Sequence, residues 1–138
     1  MDSNLLTYVF DKSEPEKREK CRNLIEDCWK GRKKYAVSVQ NLSEFYVTVT
    51  EKVEHPIPRD VAEKFVILII EYDGWKVMNL DDRTVLKAIE IEKEHETPYW
   101  DSQIAAVMEE NGIEKILTEN EEDFEGIPWI EVENPLKG

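Results

Sequence analysis

Short β-branched runs alternate with longer stretches of helical spacing along this chain, and that alternation limits the fold more than any other feature. Strands joined through helices return to one sheet as parallel neighbours, with the crossover helices covering its faces. Tyr35-Ala-Val-Ser-Val, Trp75-Lys-Val-Met-Asn-Leu, Lys115-Ile-Leu-Thr and Trp129-Ile-Glu-Val read as the strands. Between them, Cys21, Leu24, Ile25 and Cys28 predict a helix from about Pro15 to Lys30, with Ser13 as its cap and Gly31 as its stop. Leu42, Phe45, Tyr46 and Val49 repeat at helical spacing. Further helices are expected from Asp60 to about Tyr72, from Asp82 to about Glu96, and from a Thr97 cap to Asn111-Gly112. The run Phe65-Val-Ile-Leu-Ile-Ile is apolar nearly all round, which suits a buried helix or a strand; Pro58 and Ala62-Glu-Lys ahead of it favour helix.

The expected organisation is one α/β domain over residues 1–138, with a parallel sheet between helices. No apolar run approaches the roughly eighteen residues of a membrane span. Met1 is followed at once by Asp2, without the basic and apolar stretches of a secretory signal. Cys21 and Cys28 on one helix lie about 10 Å apart, too far for a disulfide. Together these features predict a reducing, cytoplasmic setting. The formal net charge of −13 argues against coating a polyanion with the whole surface. A local nucleic-acid site bridged by metal cations stays open.

Ligands of open parallel sheets bind beyond the carboxyl ends of the strands. Four places put acids there: Asp2, Glu44, Asp101 and the Asn120/Asp123 pair. Asp101 is the most informative. At about 100° per residue it falls on the same stripe as Ile104, Ala105 and Met108, in the first turn of its helix. A carboxylate on an apolar stripe needs a cation or donors, although a local backbone contact would also serve. Glu44 falls opposite the apolar stripe of its helix, so only its place after a strand commends it. Asp2 could simply cap a short helix starting near Leu5. Other chemistries lack support. The five glycines are isolated, so no phosphate loop forms, and no Gly-x-Ser-x-Gly occurs. His55 and His95 read as solvated, and neither cysteine has a histidine at supporting spacing. Trp100, next to Asp101, could help wall a site.

Taken together, Asp2-Ser-Asn-Leu-Leu-Thr-Tyr-Val-Phe-Asp, Ser38-Val-Gln-Asn-Leu-Ser-Glu-Phe-Tyr, Tyr99-Trp-Asp-Ser-Gln-Ile-Ala-Ala and Leu117-Thr-Glu-Asn-Glu-Glu-Asp-Phe-Glu-Gly, with Glu133-Asn-Pro, resemble the ordered motifs of the PIN domain family. The likeness is greatest to its VapC-like toxin ribonucleases. It implies a three-layer α/β/α sandwich around a parallel sheet of about five strands. It also implies a metal-dependent endoribonuclease that cuts RNA phosphodiester bonds. Asp2, Glu44, Asp101 and Asp123 would be its catalytic and metal-binding carboxylates, with Thr118 and Asn120 as polar supports. Mg²⁺ or Mn²⁺ would be the cofactor, as hard cations prefer carboxylate oxygens. An antitoxin protein and a second copy in a homodimer would be its partners. The family carries an apolar strand ahead of its first aspartate. Here only Met1 precedes Asp2, so the centre of the sheet is expected either to be altered or to be completed by residues upstream.

Two other readings stand beside this one. A non-catalytic interaction module would keep the PIN fold and dock a partner through Phe45, Tyr46 and the Phe65–Ile70 run. A structure-specific DNA nuclease would share the metal chemistry and differ in substrate.

Overall fold

The computed structural model describes residues 1–137. Its elements are α1 (Ser3–Tyr8), α2 (Pro15–Trp29), β1 (Tyr35–Ser38), α3 (Val39–Val47), a π-helical turn (Thr48–Lys52), α4 (Arg59–Glu71), β2 (Trp75–Met78), α5 (Asp82–His95), α6 (Tyr99–Glu110), β3 (Lys115–Leu117), α7 (Glu122–Glu125) and β4 (Glu131–Glu133). This is the three-layer α/β/α arrangement the alternation predicts.

The expected sheet of about five strands is seen as two parallel pairs rather than one continuous ladder. Four strands are present among the described residues, in two parallel pairs, β1 with β2 and β3 with β4. Tyr35 faces Trp75 in the first pair and Lys115 faces Glu131 in the second. The seam between them is closed at one end by two bonds. The Met1 amine donates to the Ala36 carbonyl at 2.7 Å, and the Asp2 N–H donates to the Leu117 carbonyl at 2.9 Å. Behind those bonds lies a cavity of about 390 Å³ whose walls include Ala36, Met78, Ile104, Met108 and Ile116. Each pair sits on its own core. Leu5, Leu6, Phe45, Val37 and Ile69 are among the buried residues of the first, and Ile104, Ile116, Phe124 and Ile127 of the second.

Several local expectations shift for identifiable reasons. Ser13 does not cap α2; its N–H and hydroxyl both go to Asp11 Oδ1, at 3.0 and 2.6 Å, and Glu14 takes the cap position. Thr97 does not cap α6 either. Its hydroxyl pairs with Ser102 Oγ at 2.6 Å, and Pro98 opens the helix. Val39 leaves β1 because Ser38 and Asn41 form a capping box that starts α3 there. The last strand begins at Glu131 rather than Trp129, since Ile130 turns into the core. The Phe65–Ile70 run is helix: Phe65 and Ile69 are buried, whereas Ile67, Leu68 and Ile70 are exposed. Phe45 is fully buried, so it cannot belong to a docking surface. Cys21 and Cys28 are both free and buried, and burial pushes the Cys21 thiol up to about 12. Such a thiol is a poor nucleophile at neutral pH. No helix is long and apolar enough to cross a membrane among the described residues.

Candidate functional site

Asp2 is nearly buried, at 7% exposure, on the seam between the two strand pairs. It does cap a helix, but the helix is α1 from Ser3 rather than one from Leu5: Oδ1 accepts from the Ser3 N–H at 2.8 Å. The same oxygen accepts from Asn41 Nδ2 at 3.4 Å, and Oδ2 accepts from the Thr118 hydroxyl at 2.8 Å. A helix N-terminus and two side-chain donors therefore offset the cost of burying this carboxylate. Thr118 is itself buried at the end of β3, and its Oγ1 also accepts from the Asn120 N–H at 3.0 Å. Asn120 thus supports the site through its main chain, while its own side chain is exposed.

Thr118 joins β3 to α1, so removing its hydroxyl strands the buried Asp2 carboxylate and leaves the Asn120 N–H without this acceptor. Thr118→Val should cost about 1–3 kcal/mol of folding stability. Urea denaturation measures it, and a loss below about 0.5 kcal/mol would show that the hydroxyl is dispensable.

Asn41 is a site residue that the sequence reasoning does not single out. Its signal is the Ser-x-x-Asn spacing directly after a strand, which predicts a capping box. With its Oδ1 engaged by Ser38, at 3.2 Å from the N–H and 2.9 Å from the hydroxyl, the Asn41 amide group is left facing Asp2.

Glu44 lies on α3 one turn beyond Gln40 and is half-buried. Gln40 Nε2 donates to Glu44 Oε2 at 3.4 Å and to the Trp100 carbonyl at 3.1 Å. Gln40 Oε1 accepts from Gln103 Nε2 at 2.7 Å. These bonds tie α3 to the first turn of α6, and so tie Glu44 to the turn that carries Asp101. Gln40 and Gln103 are also missing from the sequence candidates; a polar pair on two different helices leaves no mark in either helix's own spacing.

Asp101 is half-buried in that first turn, next to Trp100, which is 62% exposed. The alternative of a local backbone contact is not seen: no hydrogen bond to its carboxylate is present among the described residues. Burial, followed by the negative charges of Asp123, Asp2 and Glu44, pushes Asp101 up to about 7. That ordering matters, because it is the three other candidates whose charges reach this carboxyl. Asp123 is half-buried on α7, and its N–H donates to the Asn120 carbonyl at 3.2 Å. The other acids of its loop are matched elsewhere. Glu119 accepts from the Tyr8 hydroxyl at 2.6 Å and pairs with Lys17 at 2.8 Å. Glu121 pairs with Lys137 at 2.7 Å.

The charges of Asp2, Glu44 and Asp123, from three other parts of the chain, thus act on Asp101, and among the described residues no cation pairs with it. Such a donor set suits a hard divalent ion. The group is not a finished shell: among the described residues no three of His, Cys, Asp and Glu stand close enough to hold a metal directly. Water-bridged binding, which Mg²⁺ favours, asks for less convergence.

A family model of the PIN domain matches residues 1–130. The chain belongs to the PIN domain family. In fold, this PIN domain resembles a solved chain described as a toxin–antitoxin complex from Klebsiella pneumoniae. The TM-score is 0.66 at 19% identity, over 97% of this chain and 94% of that one. No curated protein matches the sequence.

Proposed function

We propose that this PIN domain is a metal-dependent endoribonuclease, and that it is the toxin of a type II toxin–antitoxin pair. What supports the reading is the PIN family match together with the setting of Asp101, half-buried in the first turn of α6 and within reach of the charges of Asp123, Asp2 and Glu44. A partly buried group of like charges in which no lysine or arginine pairs with Asp101 among the described residues is costly, and it is an arrangement expected where a cation is captured. Asp2, Glu44, Asp101 and Asp123 would hold Mg²⁺ or Mn²⁺. The bound ion would supply an activated water and stabilise the charge of an in-line phosphodiester displacement. The chain's own part is positioning. Ser3, Asn41 and Thr118 fix the Asp2 carboxylate, Gln40 and Gln103 keep α3 against α6, and Asn120 presents an exposed amide to orient water.

The antitoxin assignment draws on the toxin–antitoxin complex that shares the fold. Val61, Ile67, Leu68 and Ile70 on α4 are exposed and would give a protein partner, an antitoxin or a second copy in a homodimer, an apolar surface. The substrate would be cytoplasmic RNA.

The test is a cleavage assay on single-stranded RNA, with DNA of the same sequence beside it. RNA should be cut with Mn²⁺ or Mg²⁺ and left intact in EDTA. Cleavage that survives EDTA would remove the metal from the mechanism, and no cleavage with either ion would remove the nuclease reading and leave the interaction module.

A further inference from the structure

Beside Glu44 the surface opens into a pocket of about 430 Å³ lined by Ser3, Ser43, Glu44, Val47, Thr48 and Lys52. Its shape depends on the π-helical turn, in which the Val53 N–H donates to the Thr48 carbonyl five residues back at 3.1 Å. The wider turn carries Lys52 onto the pocket wall, and turns of this kind are frequent at functional sites. Lys17, Lys30, Lys87, Lys115 and Lys137 all pair with carboxylates, whereas no carboxylate lies within ion-pair distance of Lys52 among the described residues. Other lysines, Lys64 and Lys93 among them, also lack a carboxylate partner among the described residues, so what sets Lys52 apart is its place in a pocket with three hydroxyl-bearing side chains.

We propose that this pocket is a phosphate subsite, in which Lys52 and the hydroxyls of Ser3, Ser43 and Thr48 hold a backbone phosphate of single-stranded RNA next to the one cut at the acidic cluster. The proposal rests on the ribonuclease reading and deepens it. The ammonium supplies charge and the hydroxyls supply short donors, which together suit a phosphate better than a base edge. Glu44, on the shared wall, repels the strand unless a cation sits at the acidic cluster, so the two sites fill together. The subsite reads no sequence; it sets the register of the strand.

The signature is salt dependence, since a lost phosphate contact makes log K against log salt shallower by about 0.7 for a single strand. The experiment measures binding of a short single-stranded oligoribonucleotide by the chain with Asp101 intact, in Ca²⁺ in place of Mg²⁺ so that the carboxylates hold an ion while the strand stays uncut, over a range of salt. Lys52→Ala should weaken binding about 5- to 10-fold at low salt and flatten the slope by about 0.7, and Lys52→Arg should restore both. Lys93→Ala, on α5, is the comparison. An unchanged slope in Lys52→Ala, or equal flattening in Lys93→Ala, overturns the subsite. If the unmutated chain cuts RNA while the slope stays unchanged, the subsite alone fails. If it neither cuts nor binds RNA, both readings fail.

Discussion

Asp101→Asn should lower metal-dependent RNA cleavage by at least about 100-fold, the loss expected when a ligand of a catalytic ion is removed. Amide and carboxylate share a shape, so the half-buried site and α6 remain intact. The variant's folding must be checked in the same preparation. Far-UV circular dichroism matching the unmutated chain, with cleavage gone, is the expected pair of results. Cleavage within threefold of the unmutated chain would remove Asp101 from the site. The pH dependence should follow the same group. Asp101 keeps its proton up to about 7 in the folded chain, against the ordinary 3.8. Because a ligand must be deprotonated, ion binding should strengthen as pH rises from about 6 to 8.

Phe45→Ala should cost about 3–5 kcal/mol, the usual loss for emptying a large buried aromatic site. The ring is fully buried, 5.9 Å from Phe10 and 5.3 Å from Phe65 between centroids, so deletion leaves a cavity walled by two rigid rings. Small domains have only about 5–15 kcal/mol to lose, so most of the stability would go. Cleavage should fall with the folded fraction, since Glu44 is the preceding residue on α3. The urea midpoint is the readout; a change below about 1 kcal/mol would mean that the first core can close around the gap.

These two positions differ in how far the sequence alone exposes them. Asp101 is legible because a charge on the apolar stripe of a helix is an anomaly that spacing reveals. Phe45 also shows its periodicity, yet periodicity does not tell a core residue from one on a docking face. The order of strands and helices is equally readable, because short β-branched runs and longer amphipathic ones differ in length and period. Pairing is not. Nothing in Lys115-Ile-Leu-Thr says that it joins Glu131–Glu133 rather than β1, because register is fixed by contacts distant in sequence. Asp2 shows the same limit from the other side. Its role as a cap is local and can be read, whereas its bonds to Asn41 and Thr118 span 39 and 116 residues. Thr97 looks like a cap by composition and is claimed instead by a buried Ser102 hydroxyl. The π-helical turn leaves no trace in a pattern dominated by helical spacing.

Thermal melting of the unmutated chain and Asp101→Asn at pH 8, each in EDTA and in saturating Mn²⁺, tests the acidic site most directly. The folded state binds more protons than the unfolded one between about 4 and 7, so the metal-free chain loses stability as pH rises through that window and carries the full burden at pH 8. Removing the charge should return about 1 kcal/mol, a figure kept small because water screens a half-exposed carboxylate, and raise the melting temperature by about 2–6 °C in EDTA. Mn²⁺ should then raise the unmutated chain by more than the variant, reversing their order. An equal Mn²⁺ shift in both proteins, or none in either, would contradict the claim that these carboxylates exist to capture an ion.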